Sequence, residues 1–219
     1  RAFAGAEWNL RTLTGLGQEV TFTGYLRGDV YHSSDNALTS VASYAGDPGW
    51  QARGIAAAAV DMRWPFVGEA FGGVQRIAPR VQIVASPHLA NLSLPNEDAR
   101  AVDLEDSNLF ALNRFAGYDR FEDSSRITYG LEYGLDLPNF SLSAIIGQSY
   151  RLDRQESILP DGTGLSDRTS DIVGRTTVRY KDFVSLIHRY RLDKDNLSVR
   201  RNEIDATVGS KKTYAMVGY

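Results

Sequence analysis

Three histidines, His32, His88 and His188, are the first side chains to weigh for acid–base or metal chemistry, but they lie far apart and lack the close pairs of a metal site or a triad. Solvated loop positions for the first two, and a strand or interface position for His188, are the plainer readings. Asp103, Glu105, Asp106 and Asn108 offer oxygen ligands at close spacing, yet the run lacks the glycine and closing glutamate of an EF-hand loop. Helix capping or bonding within the loop suits them better. The glycines at 68, 72 and 73 and the run Asp161-Gly162-Thr163-Gly164 do not stand between a strand and a helix, as a phosphate-binding loop requires, so they read as turns. No Gly-x-Ser-x-Gly elbow occurs, and the chain has no cysteine, which removes thiolate chemistry, disulfides and cysteine zinc sites. The residues imply no catalytic group, no metal and no cofactor, and the chain is not expected to be an enzyme.

What remains is a stretch from Pro95 to Asp123 that gathers turn formers, acids, arginines and aromatics, with neither the alternation of a strand nor a helical stripe. Leu104, Leu109, Phe110, Leu112, Phe115, Tyr118 and Phe121 give it enough apolar surface to fold back and pack, as an ordered functional loop does. Arg114, Arg120, Glu122 and Asp123 can lock its shape through guanidinium–carboxylate pairs, and Gly117 supplies a turn closed to other residues. Two roles stay open: a self-packed lid, or direct contact with a ligand or partner.

The flanks of this stretch are written with a period of two. In 18–31, Val20, Phe22, Gly24, Leu26, Gly28 and Val30 oppose Thr21, Thr23, Tyr25, Arg27, Asp29 and Tyr31. In 127–136 an apolar set from Ile127 to Leu135 opposes Thr128, Gly130, Glu132, Gly134 and Asp136, and 202–209 alternates likewise. Strands are expected at 4–14, 18–31, 54–64, 70–86, 126–137, 140–152, 171–180, 183–192, 197–209 and 213–219. Segment 54–64 is included on context, since Ala56 to Ala59 have low strand propensity. Pro79 predicts a bulge or weak pairing within 70–86.

The connections sort by length. Short ones are expected at 15–17, around Pro65, at Pro138-Asn139, at Lys181-Asp182 and at Ser210-Lys211-Lys212. Between them fall 32–53, 87–125, 153–170 and the brief 193–196. Tight turns at one end and long loops at the other, joined by strands of about 9–11 residues, describe an outer-membrane barrel better than a sandwich. The fold class is therefore all-β, an antiparallel transmembrane β-barrel segment of about ten strands. No run approaches the roughly 18 apolar residues of a membrane helix. Trp8, Trp64, Phe66, Tyr150, Tyr180, Phe183, Tyr190, Tyr214 and Tyr219 lie near expected strand ends, where rings suit the membrane interface, although aromatics favour strands generally.

Charge at mid-strand then fixes sidedness, because basic groups in hydrocarbon cost about 2–4 kcal/mol each. Arg11, Arg27, Glu132, Asp136, Arg151, Arg175, Arg179, Arg189, Arg191, Glu203 and Asp205 are expected to face a wet lumen. The basic run 189–201 reads as a solvated hairpin tip or as a contact for phosphorylated headgroups. With 24 basic and 27 acidic residues, the net charge of −3 gives no reason to expect nucleic acid as a partner.

The segment 95–120 resembles the signature of the LptD family, outer-membrane proteins that insert lipopolysaccharide. The matching residues are Pro95-Asn96-Glu97-Asp98, then Asn108 followed by Leu109 and Phe110, then Asn113-Arg114-Phe115, Gly117, Tyr118, Asp119 and Arg120. Ala99 and Ala116 are mild variants, Pro79-Arg80-Val81-Gln82 followed by Ser86-Pro87 resembles the preceding strand, and the likeness is strongest over 79–137 and weaker over 171–209. The resemblance implies a Gram-negative outer-membrane location and a barrel of about 26 strands behind a periplasmic jellyroll domain. By that measure residues 1–219, which open at Arg1 without an initiator methionine or leader, are a barrel fragment lacking the jellyroll. It also implies transport without covalent chemistry, with lipopolysaccharide and membrane lipid as ligands. Sugars would pass through the lumen and acyl chains through a lateral gate, with an LptE-like lipoprotein plug and an LptA-like periplasmic bridge as partners. Arg114→Ala or Arg120→Ala is expected to weaken barrel assembly. A porin, a ten-stranded omptin-type hydrolase and a soluble β-sandwich are the alternatives.

Overall fold

A computed structural model describes residues 1–100, 102–153, 158–210 and 212–219. Ala101, residues 154–157 of the expected 153–170 connection, and Lys211 of the last expected turn lie outside the described residues. The strands are β1 (Ala2–Leu13), β2 (Glu19–Ser33), β3 (Gly49–Arg63), β4 (Phe66–Ala70), β5 (Gly73–Ala85), β6 (Arg126–Leu137), β7 (Phe140–Arg151), β8 (Ile172–Tyr180), β9 (Val184–Leu192), β10 (Val199–Gly209) and β11 (Tyr214–Gly218). They form one antiparallel sheet in chain order, with β4 on β5 beside the main path, and β1 and β11 do not pair with each other. The sheet is thus open, as expected of a piece of a larger barrel. Neither the second layer of a sandwich nor a closed ten-stranded barrel is present among the described residues.

The number of hairpins agrees with the sequence reading, but two boundaries move. Instead of a turn at Pro65, β3 and β4 run on in one register against β5: Arg63 pairs with Arg80 and Phe66 with Ile77. The interruption falls where two prolines meet the same ladder. The Trp64 N–H donates to the Pro79 carbonyl at 2.9 Å, and the Pro79 nitrogen has no hydrogen to return. Pro79 therefore produces no bulge in its own strand; it opens a gap in the strand opposite. The turn is at Phe71 (φ 54°) and Gly72 (φ 80°), a left-handed pair of the kind that closes two-residue hairpins. The second boundary is the start of β3, five residues earlier than its alternation suggested, because Gly49 to Arg53 pair with Ser33 to Asp29. The connection shrinks to 34–48 and holds a 3-10 turn and the short helix α1 (Ala42–Ala45).

Register sorts the side chains into two faces. Outward run Trp8 and Leu10 of β1, Phe22 and Leu26 of β2, Ala56 and Val60 of β3, Ile83 of β5, Leu131 of β6, Ile146 of β7 and Val208 of β10. Apart from Arg200 at a bulge in β10, the outward positions of the paired strands carry no Asp, Glu, Lys or Arg. Many of these apolar side chains are exposed, Trp8, Leu26 and Ile83 among them. An apolar face this continuous is a contact surface for lipid. Trp64, Phe66, Tyr180 and Phe183 cluster toward the short-turn end, as interfacial rings would. Trp8, in contrast, sits at the middle of β1 opposite Gly24, and Tyr214 falls on the polar face.

All long connections leave from one end of the sheet. Three of them, 34–48, 87–125 and the described part of 152–171, fold back over the polar face, and the buried hydrophobic clusters form there. One holds Ala99, Leu104, Leu109 and Phe115 with Leu159, Leu165 and Val173. The other holds Leu89 and Phe121 against Ile55 and Ala57 of β3.

Candidate functional site

The polar face near the long-loop end, with the segment 87–125 docked on it, concentrates the buried charge of the molecule. The segment first fixes its own shape. The Asp98 carboxylate accepts the N–H groups of Tyr118 and Asp119 at 3.0 and 2.9 Å, while the Asp119 carboxylate accepts those of Glu97 and Asp98 at 2.7 and 3.0 Å. Two carboxylates thus clamp two chain stretches reciprocally. Gly117 makes this approach feasible, with φ at 79° and no room for a side chain: an added Cβ would lie 2.5 Å from the Asp98 carbonyl and carboxylate oxygens.

Asparagines close the remaining turns. Asn96 bonds both backbone groups of Ala99, Asn108 ties Glu105 to Asp103, and Asn113 receives the N–H groups of Phe115 and Glu122 while donating to the carbonyls of Phe115 and Arg120. Each of these side-chain amides bonds main chain that has no ladder partner. Pro95 packs against the facing connection, where Gly46 leaves no space for a side chain.

Arginines from the sheet then grip the folded segment. Arg53 of β3 bonds Asp29 of β2 at 2.5 Å and the carbonyls of Tyr118 and Asp119 at 3.0 and 2.9 Å, while Arg27 bonds Asp29 at 2.7 Å and the same Tyr118 carbonyl. Tyr31 donates to Asp119 and Arg1 pairs with it. Further along, Arg114 donates to Ser149 of β7 at 2.7 Å and pairs with Glu122 at 3.4 Å. Arg126 of β6 pairs with the same Glu122 at 3.5 Å and caps the carbonyls of Ala111 and Leu112. Arg120 spends its guanidinium on carbonyls: Leu94 and Ser43 at 2.9 Å, and Asp119 at 3.3 Å. Burial, reinforced by the facing Arg53, holds the Arg120 pKa below its usual value.

Burial raises the pKa of Asp98, but the bond from Arg1 and the two accepted N–H groups outweigh it, leaving the carboxyl below the ordinary range. A depressed carboxylate stabilises the fold above its unfolded pKa and loses that contribution as pH falls through the folded value, so the clamp survives mild acid.

The apolar residues of the signature land on a floor prepared for them. Gly130 of β6 and Gly147 of β7 pair directly across the sheet on the polar face. A Cβ at Gly147 would meet the Leu109 side chain at 2.6 Å, and one at Gly130 would meet Phe110 at 3.2 Å. The glycines that weaken those strands are where Leu109 and Phe110 seat. The Arg80 guanidinium covers the Phe110 ring at 4.1 Å. Phe121 stacks on Tyr25 and Tyr118 on Phe3.

All the strand positions expected to share the charged face do share it. Arg11, Arg27, Glu132, Asp136, Arg151, Arg175, Arg179, Arg189, Arg191, Glu203 and Asp205 fall on one side by register. Their partners were not visible in the sequence. Glu132 pairs with Arg63 and Arg80, and Arg189 with Asp205. The closely spaced acids Asp103, Glu105 and Asp106 reach across the sheet: Asp106 to Arg175, Asp103 to Arg191 and Arg201, and Glu105 to Arg201. The basic run 189–201 is thus divided, since Arg189, Arg191 and Arg201 face inward while Arg200 is tied to Asp193 at the hairpin tip. Sequence reasoning missed Asp29 as a bridging carboxylate, and it missed Arg53 and Arg126. Arg53 continues the alternation Ile55, Ala57, Ala59 upstream, which is the signal that would have found it.

Arg120 gives a direct expectation for this packing. Arg120→Ala leaves the buried Leu94 carbonyl without this donor, at about 1–3 kcal/mol, removes the bond to the more exposed Ser43 carbonyl, and loosens both connections together. Arg114→Ala strips Glu122 of one of its two cations. In full-length protein both substitutions are expected to lower the yield of assembled, heat-modifiable barrel severalfold. Normal assembly of both variants would refute the role.

The whole chain, residues 1–219, matches the family described as LPS transport system D, LptD. Relatives named LPS-assembly protein LptD include one from Albidiferax ferrireducens, 33% identical over 103 residues, covering 45% of this chain and 13% of that protein. Another, from Thiobacillus denitrificans, is 26% identical over 147 residues, covering 63% of this chain and 20% of that protein. A third, from Alkalilimnicola ehrlichii, is 34% identical over 110 residues, covering 48% and 14%. The matched stretch therefore spans at most about a fifth of these relatives.

Proposed function

The chain belongs to the LptD family, outer-membrane β-barrels that are transport proteins and not enzymes, and from that premise we propose that it forms part of the barrel wall through which lipopolysaccharide is assembled into the outer membrane. The observation carrying this reading is the division of one sheet into an uncharged apolar face and a charged face. A lipid with several acyl chains and a large phosphorylated glycan satisfies neither hydrocarbon nor water alone. A wall with one face of each kind lets the sugars travel along a wet interior while the acyl chains pass through a lateral gate into the bilayer. The gate, an LptE-like lipoprotein filling the lumen, an LptA-like bridge delivering the substrate, and a periplasmic jellyroll domain elsewhere in the full protein belong to the same proposal. In this arrangement the signature residues from Pro95 to Arg120 hold the docked segment in place, and the lumen-facing set from Arg27 to Arg191 lines the route.

Position-specific photocrosslinking in the full-length protein tests this in cells. A benzophenone side chain at Ser143, Thr177 or Ser185, on the charged face below the docked segment, is expected to capture lipopolysaccharide during active transport. The same probe at Ala144, Val178 or Leu186, one residue away and outward, should capture bulk phospholipid. Absence of lipopolysaccharide adducts from every charged-face position would overturn the proposal.

A further inference from the structure

The outermost inward arginines of β8 to β10 form a cationic patch most of whose counterions come from a distant part of the chain. Val173 pairs with Arg191, Arg191 pairs with Arg201, and Arg175 lies two residues along from Val173, so three guanidiniums share one corner of the charged face. Neighbouring like charges on adjacent strands repel unless something neutralises them. Glu203 serves Arg201 from within the sheet and Asp171, just before β8, lies 3.5 Å from Arg191, while the remaining close acids arrive with the docked segment. Asp103 accepts from Arg191 and, at 2.8 Å, from Arg201; Glu105 accepts from Arg201 at 2.7 Å; Asp106 pairs with Arg175 at 3.2 Å.

These pairs are unlike the sealed ones around Asp29. The side chains of Asp103, Glu105 and Arg175 are 37%, 35% and 45% exposed, so these groups can exchange partners with solvent, while Arg191 and Asp106 lie largely covered beneath them. A phosphate monoester brings more charge than a carboxylate and three acceptor oxygens, which suits the forked donors of arginine. We infer that Arg175, Arg191 and Arg201 form a binding site for a phosphorylated saccharide, held closed at rest by Asp103, Glu105 and Asp106, which the incoming phosphate displaces. The inference rests on the reading that this face borders the glycan route. It assigns the 102–110 stretch the role of an internal stand-in for the ligand.

Hydrogen exchange of the purified full-length protein with its natural partners tests the displacement, using three probes: bis-phosphorylated lipid A, the same lipid dephosphorylated, and inorganic phosphate. The phosphorylated lipid is expected to raise amide exchange within 102–110 about fivefold, with no change from the dephosphorylated form and little from inorganic phosphate at equal phosphate concentration. An equal effect from inorganic phosphate would overturn the saccharide assignment in favour of a free-phosphate site. Glu105→Gln, which removes a competitor, should tighten binding of the phosphorylated lipid about tenfold, and Arg201→Gln should weaken it about tenfold. Unchanged affinity in Glu105→Gln, or unchanged exchange with lipid bound, would overturn the inference. If lipopolysaccharide still crosslinks to the charged face, only this inference falls; loss of those adducts defeats the transport proposal independently.

Discussion

Replacing Asp29 by alanine is expected to release the 87–125 segment from the sheet. Asp29 is the shared counterion of Arg27 and Arg53, and the side chains of all three are at most 3% exposed. Its removal leaves two buried guanidiniums facing each other, a change that costs about 3–5 kcal/mol when a buried pair loses one partner. The measurement is trypsin sensitivity of the full-length protein in detergent. Arg114 and Arg120 are buried when the segment is docked, so cleavage there reports undocking and should accelerate by at least about tenfold at this cost. Adding Arg53→Met to the variant removes one of the orphaned charges and should restore part of the protection, a non-additivity expected only of residues in contact. Protection equal to the wild type in Asp29→Ala would show that the segment is held by its apolar clusters alone.

The second large effect is expected from Gly117→Val. A branched side chain at φ 79° is strained by about 1–3 kcal/mol before any contact is considered. Its Cβ would also lie on the Asp98 oxygens that form the clamp. Because Asp98 and Asp119 hold each other's main chain, losing one bond set frees the other, and the strain spreads to the Tyr118 carbonyl that Arg27 and Arg53 grip. Gly117→Val in full-length protein is therefore expected to assemble poorly and to leave cells sensitive to large hydrophobic antibiotics, with Gly117→Ala intermediate. Wild-type resistance in the valine variant would rule out the left-handed turn as a requirement.

These effects involve residues whose importance was legible to different degrees. Alternation exposed the two faces, because a one-residue slip would carry Glu132 or Arg175 into hydrocarbon, and no competing register satisfies both faces. The sorting of short and long connections also survived, although the Pro65 turn did not. A proline in sequence signals a missing donor; whether the chain then turns or merely skips a rung depends on what lies opposite, and here Pro79 lies opposite the neighbouring Trp64. Arg53 is obscured for a related reason: Asp47, Pro48 and Gly49 are loop formers, so the alternation is legible only from Gly54 onward.

Within the signature segment, the apolar residues and Gly117 could be recognised as packing and turn elements. Their destination could not. The contact between Asp103 and Arg191 joins residues 88 positions apart, and nothing in local spacing says which acid meets which base. The paired glycines at 130 and 147 are similar: each alone reads as a weak point in a strand, and only their juxtaposition makes a seat for Leu109 and Phe110.

The docked segment touches the sheet at both extremes, through Arg27 and Arg53 on β2 and β3 and through Arg191 and Arg201 on β9 and β10. Mechanically it is a bowstring across an arc. A single layer of strands bends easily, whereas an arc tied end to end keeps its radius, so β2 to β10 act as a stiffened panel. Any widening of the enclosing ring must then be taken up by strands beyond the tie.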